Sequence, residues 1–250
     1  ATRGRARVVI DLRFAASALL AAVVPFLIAR RAARHDEDVE YVLDIGFSAV
    51  VAGLVVARVV AVALDDPTGL GDLKSMLSVR GGVELWAGAA AGTAVVALRA
   101  TRSGRSVWTV LACGAPLALW AYATWDAGCA LRDGCFGPAS PVGLVPPGLT
   151  QRVLPLGLLM AAAVAAVGAV AWQWRHRAPV HAVIGSVAGF AIVRAVASFW
   201  LPALGEGLTR PHRESLVVAV LAVAGFVGTC LRQPLPALAP RTQPLGPPDP

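Results

Sequence analysis

Arg58 and Arg194 stand inside long apolar runs, while Arg13, Arg80 and Arg152 stand near the ends of others, with Glu84 four residues after Arg80. An ionisable side chain inside a bilayer is costly, and it normally faces a bundle interior or watery cavity with a partner. If the run 43–64 rises to an outer end at Leu64, Arg58 lies roughly 9 Å below that end at the helical rise per residue. Arg194 holds a similar depth in its own run. A guanidinium fork matches phosphate oxygens two at a time, so the natural ligand of such a layer is the headgroup of an outer-leaflet phospholipid. Arg13, Arg80 and Arg152 also have a plainer account, snorkelling to the interface. For Arg58 and Arg194 depth favours the ligand.

Cys129 and Cys135 bracket Arg132-Asp133 in a segment rich in Gly and Pro. Their spacing is not a CxxC redox pair, and with no His nearby it is a poor metal site. In an oxidising compartment they are expected to form a disulfide over the cavity mouth, with a reactive thiol pair as the lesser reading. Cys113 and Cys230 fall inside apolar runs and read as small hydrophobes. Asp126, Arg132 and Asp133 read either as a mutual ion-pair network or as ligand contacts. No metal site and no cofactor is expected.

These residues must be positioned by membrane helices. The chain is 57% hydrophobic and 15% charged, whereas a soluble domain carries about 25% charged residues. A spanning helix needs about 20 apolar residues, and such runs lie at 14–29, 43–64, 82–98, 107–125, 153–173, 180–201 and 215–231. The expected fold is all-α and polytopic, with about seven transmembrane helices in one domain over 1–232. The Pro-rich segment 233–250 reads as a disordered cytoplasmic tail. The run 14–29 lacks a small-residue cleavage site and is followed by further spans, so it does not read as a cleavable signal peptide.

The net charge of +7 does not point to nucleic acid, because the basic residues gather at helix ends, as topology signals and headgroup contacts do. Arg30, Arg31 and Arg34, then Arg99, Arg102 and Arg105, then Arg175 and Arg177, then Arg232 fall on alternate connections. The positive-inside rule puts these in the cytoplasm. Segments 65–80, 126–152 and 202–214 then face outward, with the N-terminus outside and the C-terminus inside, although Arg3, Arg5 and Arg7 argue the other way. Ala and Val dominate the helices, and among Lys and Arg only Lys74 is a lysine. That composition fits the plasma membrane of a bacterium with a GC-rich genome. Gly88 and Gly92 form a small-xxx-small face that reads as helix packing, whereas Gly81 and Gly82 stand at the mouth beside Arg80, where missing side chains could admit a ligand.

The order of these features resembles the prolipoprotein diacylglyceryl transferases, seven-helix bacterial membrane enzymes, from about Asp11 to Arg232. Asp44-Ile-Gly-Phe through Gly53 to Ala57-Arg58 is similar to the family's second helix, which ends in Gly-Ala-Arg. Gly81-Gly82 through Gly88 resembles its Gly-Gly-x-x-x-His-Gly-Gly stretch. Gly128 through Gly137, with Pro141-Val-Gly-Leu behind it, resembles the Gly-Asn-x-x-Asn-x-Glu-x-x-Gly signature, and Gly189 to Arg194 resembles the Arg-x-x-x-Glu helix. The resemblance implies transfer of a diacylglyceryl group from phosphatidylglycerol to the cysteine thiol of a lipoprotein precursor. It also implies an outward-opening lipid cavity lined by Gly81, Gly82, Trp86, Gly137 and Ser198, with Arg58, Arg194 and Arg80 on the lipid phosphate.

Against the family pattern, Trp86 stands where it has His, Phe14 where it has Tyr, Asp126 where it has Arg and Cys129 where it has Asn. Gly134 and Ser198 each replace a Glu. The matching positions are Arg58, Arg194, Gly53, Gly81, Gly82, Gly88, Gly128 and Gly137. Thioether formation needs a base for the thiol and charge stabilisation for the departing phosphate. The arginines could supply the second. For the first, Glu84 and Asp126 are the remaining carboxylates, since His35, His176 and His181 fall toward the cytoplasmic side and only His212 toward the outer face. Two readings follow. One is a divergent transferase, and the other a non-catalytic lipid-binding or assembly subunit of a larger membrane complex. A reporter fused at Arg102 is expected to register the cytoplasm; an outside signal would overturn the topology.

Overall fold

The computed structural model describes residues 12–65, 67–71, 84–129, 131–132, 134–146, 150–200 and 210–232. Among them are seven α-helices: α1 Leu12–Ala33, α2 Glu37–Asp65, α3 Leu85–Arg102, α4 Val107–Ala127, α5 Leu156–Trp174, α6 Pro179–Ser198 and α7 Arg210–Arg232. A 3-10 turn, Pro67–Gly71, follows α2, and one short strand, β1 Ala139–Leu144, lies between α4 and α5. Six of the helices are long and apolar enough to cross a membrane. The remaining one, α3, carries Arg99 and Arg102 in its last turn, which dilutes its hydropathy. The chain is a multi-pass membrane protein of all-α class. Arg80, Gly81, Gly82, Asp133 and the tail 233–250 lie outside the described residues.

Local chemistry sets the helix ends. Ser106 caps α4 by accepting from the Thr109 N–H at 3.4 Å, and Pro179 opens α6, where a missing N–H costs nothing. Gly104, at φ +70°, follows α3 and turns the chain toward α4. Phe47, Val220 and Leu231 are largely exposed, which fits lipid as the surrounding solvent. The buried faces are instead built from small residues. On α2, Ala49, Gly53, Ala57 and Ala61 recur every fourth position and are all buried. A Cβ added at Gly53 would stand 2.9 Å from the Gly88 carbonyl oxygen, and one added at Gly88 would stand 2.8 Å from Ala57 Cβ. The backbones of α2 and α3 therefore touch, the contact that small-residue stripes allow.

Helix α4 is the hub, packing against α1, α2, α3, α5 and α6, whereas α7 packs on α6. At one end of the bundle the connections α1–α2, α3–α4 and α5–α6 meet. Asp36 Oδ1 accepts the N–H groups of Asp38 and Val39 and so caps α2. Its Oδ2 takes Arg175 Nη2 at 3.2 Å and His176 Nε2 at 2.8 Å. Arg105 pairs with Asp38 at 2.9 Å, and Arg175 stacks on Trp172 at 3.8 Å. Arg105 and Arg175, read from sequence as topology signals, are thus also interhelical ties.

At the opposite end, the Ser140 N–H donates to the Arg152 carbonyl and the Leu154 N–H to the Pro138 carbonyl, so residues 152–154 run alongside the start of β1. Burial raises the pKa of Asp36, but the hydrogen bonds from His176 and the Val39 N–H, the His176 charge and Arg175 outweigh it and hold the carboxyl below its ordinary value. A depressed carboxylate stabilises the fold above its unfolded pKa of about 4, and the contribution is lost as pH falls through the lower folded value. Asp36→Ala is expected to cost about 1–2 kcal/mol at neutral pH through the lost cap and ion pairs. Detergent-solubilised protein should show wild type and variant converging in melting temperature below about pH 4. Gly88→Leu, which forces α2 from α3, is expected to cost about 1–3 kcal/mol; an unchanged melting temperature would show that the two backbones separate freely.

Candidate functional site

Near the end of α4, Tyr122 and Asp126 lie one helical turn apart and so share a face. Arg194 on α6 donates through Nη1 to the Tyr122 hydroxyl, and its guanidinium lies 5.7 Å from the Tyr122 ring and 6.0 Å from the Phe190 ring. The Phe190 ring meets Tyr122 edge-on at 4.7 Å and Trp86 of α3 at 5.7 Å. The Glu84 N–H, just before α3, donates to the Ala57 carbonyl of α2 at 3.0 Å. These contacts bring Ala57–Arg58, Glu84–Trp86, Tyr122–Asp126 and Phe190–Arg194 to one level of the bundle. Of the residues expected to share a layer, Arg58, Glu84 and Arg194 stand in these segments, and Arg58 and Arg194 come from helices that do not pack on each other. Helix α2 packs on α1, α3 and α4, and α3 links it to α6 through Trp86.

The loop after α4 closes the layer. Cys129 and Cys135 form a disulfide with Cα atoms 5.6 Å apart. Cys135 sits at φ 58°, its carbonyl accepts the Gly157 N–H at 3.0 Å, and a Cβ on Gly157 would lie 2.9 Å from the Asp126 carbonyl oxygen. Only glycine lets the start of α5 come so close. The loop lays Arg132 across the end of α4, where its Nη2 donates to the Trp125 carbonyl at 3.1 Å and the Cys129 sulfur at 3.0 Å, with the guanidinium 3.8 Å over the Trp125 ring.

Asp126 is 6% exposed, and both Arg132 and Arg194 are close enough to act on it electrostatically. Yet Asp126 Oδ2, Arg132 Nη1 and Arg194 Nε are each buried without a hydrogen-bond partner among the described residues. The mutual ion pairing expected of Asp126 and Arg132 gives way to an Arg132 held by a carbonyl, a sulfur and a ring. Buried polar atoms in native proteins are almost always paired, and an unpaired one costs about 1–3 kcal/mol. Two donors and one acceptor are thus left open at one level of the bundle.

Other candidates are committed elsewhere. Glu84 pairs with Arg210 of α7 at 2.7 Å, and Arg210 also reaches Glu214 at 3.0 Å and Asp65 at 3.6 Å. Glu84 is therefore a tie between α3 and α7 and is not free to balance Arg58 or Arg194. Arg210, Glu214 and Tyr122 were not singled out in the sequence; Arg210 stands beside Pro211 outside the apolar run and gives no signal of depth. Trp86 packs against the cluster of Leu119, Ala123, Ala161, Val164 and Phe190. Ser198 is buried, with its hydroxyl donated to the Ala195 carbonyl, and the Gly137 N–H donates to the Leu154 carbonyl beside β1. Arg13 and Arg152 are exposed, as snorkelling residues would be.

At the far end of the bundle, Asp36, Cys113 and His176 bring potential metal-ligand atoms within 4.8 Å of one another. No spacing in the sequence announces that group. Arg175 already supplies a positive charge to Asp36 there, which makes the cluster an ion-pair clasp.

No curated protein matches the chain. The family model of prolipoprotein diacylglyceryl transferase matches residues 10–229. With the match covering most of its length, the chain belongs to the prolipoprotein diacylglyceryl transferase family.

Proposed function

We propose that this chain binds a phosphatidylglycerol-like phospholipid of the outer leaflet of a bacterial plasma membrane, with the headgroup against Arg194, Arg132 and Asp126. The observation that carries the reading is the trio of unpartnered buried atoms. Arg194 Nε and Arg132 Nη1 offer donors to phosphate oxygens, and Asp126 Oδ2 offers an acceptor to a headgroup hydroxyl. One molecule with an anionic phosphate and a polyol satisfies all three. Arg58 lies at the same level on α2 and adds positive charge to the field. In this orientation the N-terminus is outside and the Asp36 end of the bundle faces the cytoplasm.

The resemblance places a His at the position of Trp86, and here that ring is packed against Phe190. Lipid retention without transfer is accordingly the first reading, with the chain acting as a lipid-holding subunit alongside other membrane proteins. A specific observation supports transfer as the second. Asp126 has a buried carboxylate oxygen that no described residue engages, in place to accept a proton from a thiol nucleophile.

Charge-assisted hydrogen bonds contribute roughly 1.5–3 kcal/mol each. Arg194→Gln and Arg132→Gln are each expected to lower phosphatidylglycerol retention about ten-fold or more, read by native mass spectrometry after mild detergent exchange. Equal retention in folded variants would defeat the headgroup site. Incubation with labelled phosphatidylglycerol and a lipobox peptide is expected to yield no diacylglyceryl peptide. Product that disappears in Asp126→Asn would establish the second reading in its place.

A further inference from the structure

Helix α6 packs against both α5 and α7, but α5 and α7 do not pack against each other. Their separation leaves a cleft of about 450 Å³, floored by the small residues Ala182, Gly185 and Gly189 and walled by Val167, Val170, Val223 and Phe226. An apolar cavity of about 150 Å³ holds benzene, so this one has room for a longer chain. Val170 and Val223 are exposed, and the cleft therefore opens sideways toward lipid. Water gains nothing in so apolar a space, and lipid is the solvent at hand.

One polar atom breaks the apolar lining. His181, 3% exposed, stands in the first turn of α6 with its Nε2 buried and unpartnered among the described residues and its ring edge-on to Phe226 at 5.9 Å. The first turn of a spanning helix lies near the interface, where the ester carbonyls of a lipid are found. Arg175, in the turn joining α5 to α6, is committed to Asp36, whereas Arg177 in that turn is exposed.

We propose that this cleft is a second lipid site, on the membrane face opposite Asp126, which holds one acyl chain of an anionic glycerophospholipid. The ester carbonyl accepts from His181 Nε2–H, and the phosphate lies beside Arg177. The site shares no residue with the Arg194 layer and stands whether or not that layer binds a headgroup.

The test uses the full chain in nanodiscs containing phosphatidylglycerol with a diazirine on one acyl chain, followed by photolysis and peptide mapping. Labelling of the 167–170 and 223–226 segments is expected to exceed that at Phe47, which is 80% exposed on α2 and samples surrounding lipid. Val170→Trp should abolish the excess. His181→Leu should lower it about five-fold, the ordinary worth of one hydrogen bond, while His181→Gln, which keeps a donor, retains most of it. A phosphatidylcholine probe with the same chain should label the cleft less. Labelling no greater than at Phe47 would reduce the cleft to ordinary lipid contact and overturn the proposal. So would an excess untouched by both Val170→Trp and His181→Leu in variants that melt like wild type, and equal labelling by the zwitterionic probe would overturn its anionic selectivity.

Discussion

The contact of the α2 and α3 backbones at Gly53 and Gly88 fixes the level of everything that follows. With no side chain at either position, the Gly88 carbonyl comes within 2.9 Å of where a Gly53 Cβ would be. The same approach puts the Glu84 N–H on the Ala57 carbonyl and swings Trp86 onto Phe190. Association in lipid has no hydrophobic drive, so close packing and interhelical hydrogen bonds must supply it. The small-residue stripe on α2 is what permits both. Trp86, Phe190 and Tyr122 then carry the register to α6 and α4, and Arg194 inherits its place from that chain of rings.

Asp36 and Asp126 show how differently one bundle treats the same side chain. Asp36 has both carboxylate oxygens engaged, by two backbone N–H groups, an arginine and a histidine. It joins two connections, α1–α2 and α5–α6, and leaves nothing over. Asp126, at the opposite end, is buried more deeply, yet its Oδ2 meets no hydrogen-bond partner among the described residues, where Arg132 Nη1 and Arg194 Nε are open as well. A fold able to satisfy Asp36 so fully is not short of means. Two donors and one acceptor remain open together there among the described residues, and the proposed lipid site rests on that arrangement.

Much of this was readable from the residues because its physics is local or periodic. Apolar runs located the helices, since each span must be about as long as the hydrocarbon is thick. Arg58 and Arg194 stood out by depth, and the short separation of Cys129 and Cys135 made their bridge plausible before any geometry was known. What stayed hidden depends on neighbours remote in sequence. Tyr122 is an ordinary aromatic in an apolar run until α6 brings Arg194 to its hydroxyl. Glu84 reads as a cavity acid until α7 delivers Arg210. Asp36, His176 and Cys113 come from three separate stretches, and only the packing of α1, α4 and α5 assembles them.

Trp86 shows how one position can serve the fold without offering a base. An indole offers a donor but no basic lone pair, so at the position where the family resemblance puts an imidazole it cannot accept a thiol proton. It can still perform the structural half of that position's work, because a large ring there ties α3 to α6 through Phe190 and keeps Arg194 in its layer. The stability of the site and its chemistry are thus separable in this chain. Any base would have to come from another element, and Asp126, with one carboxylate oxygen open among the described residues, is a candidate in this layer. The guanidinium groups of Arg132 and Arg194 suit a phosphate, whose oxygens a planar fork matches two at a time. Holding an anion at this end of the bundle thus asks nothing of the position that Trp86 occupies.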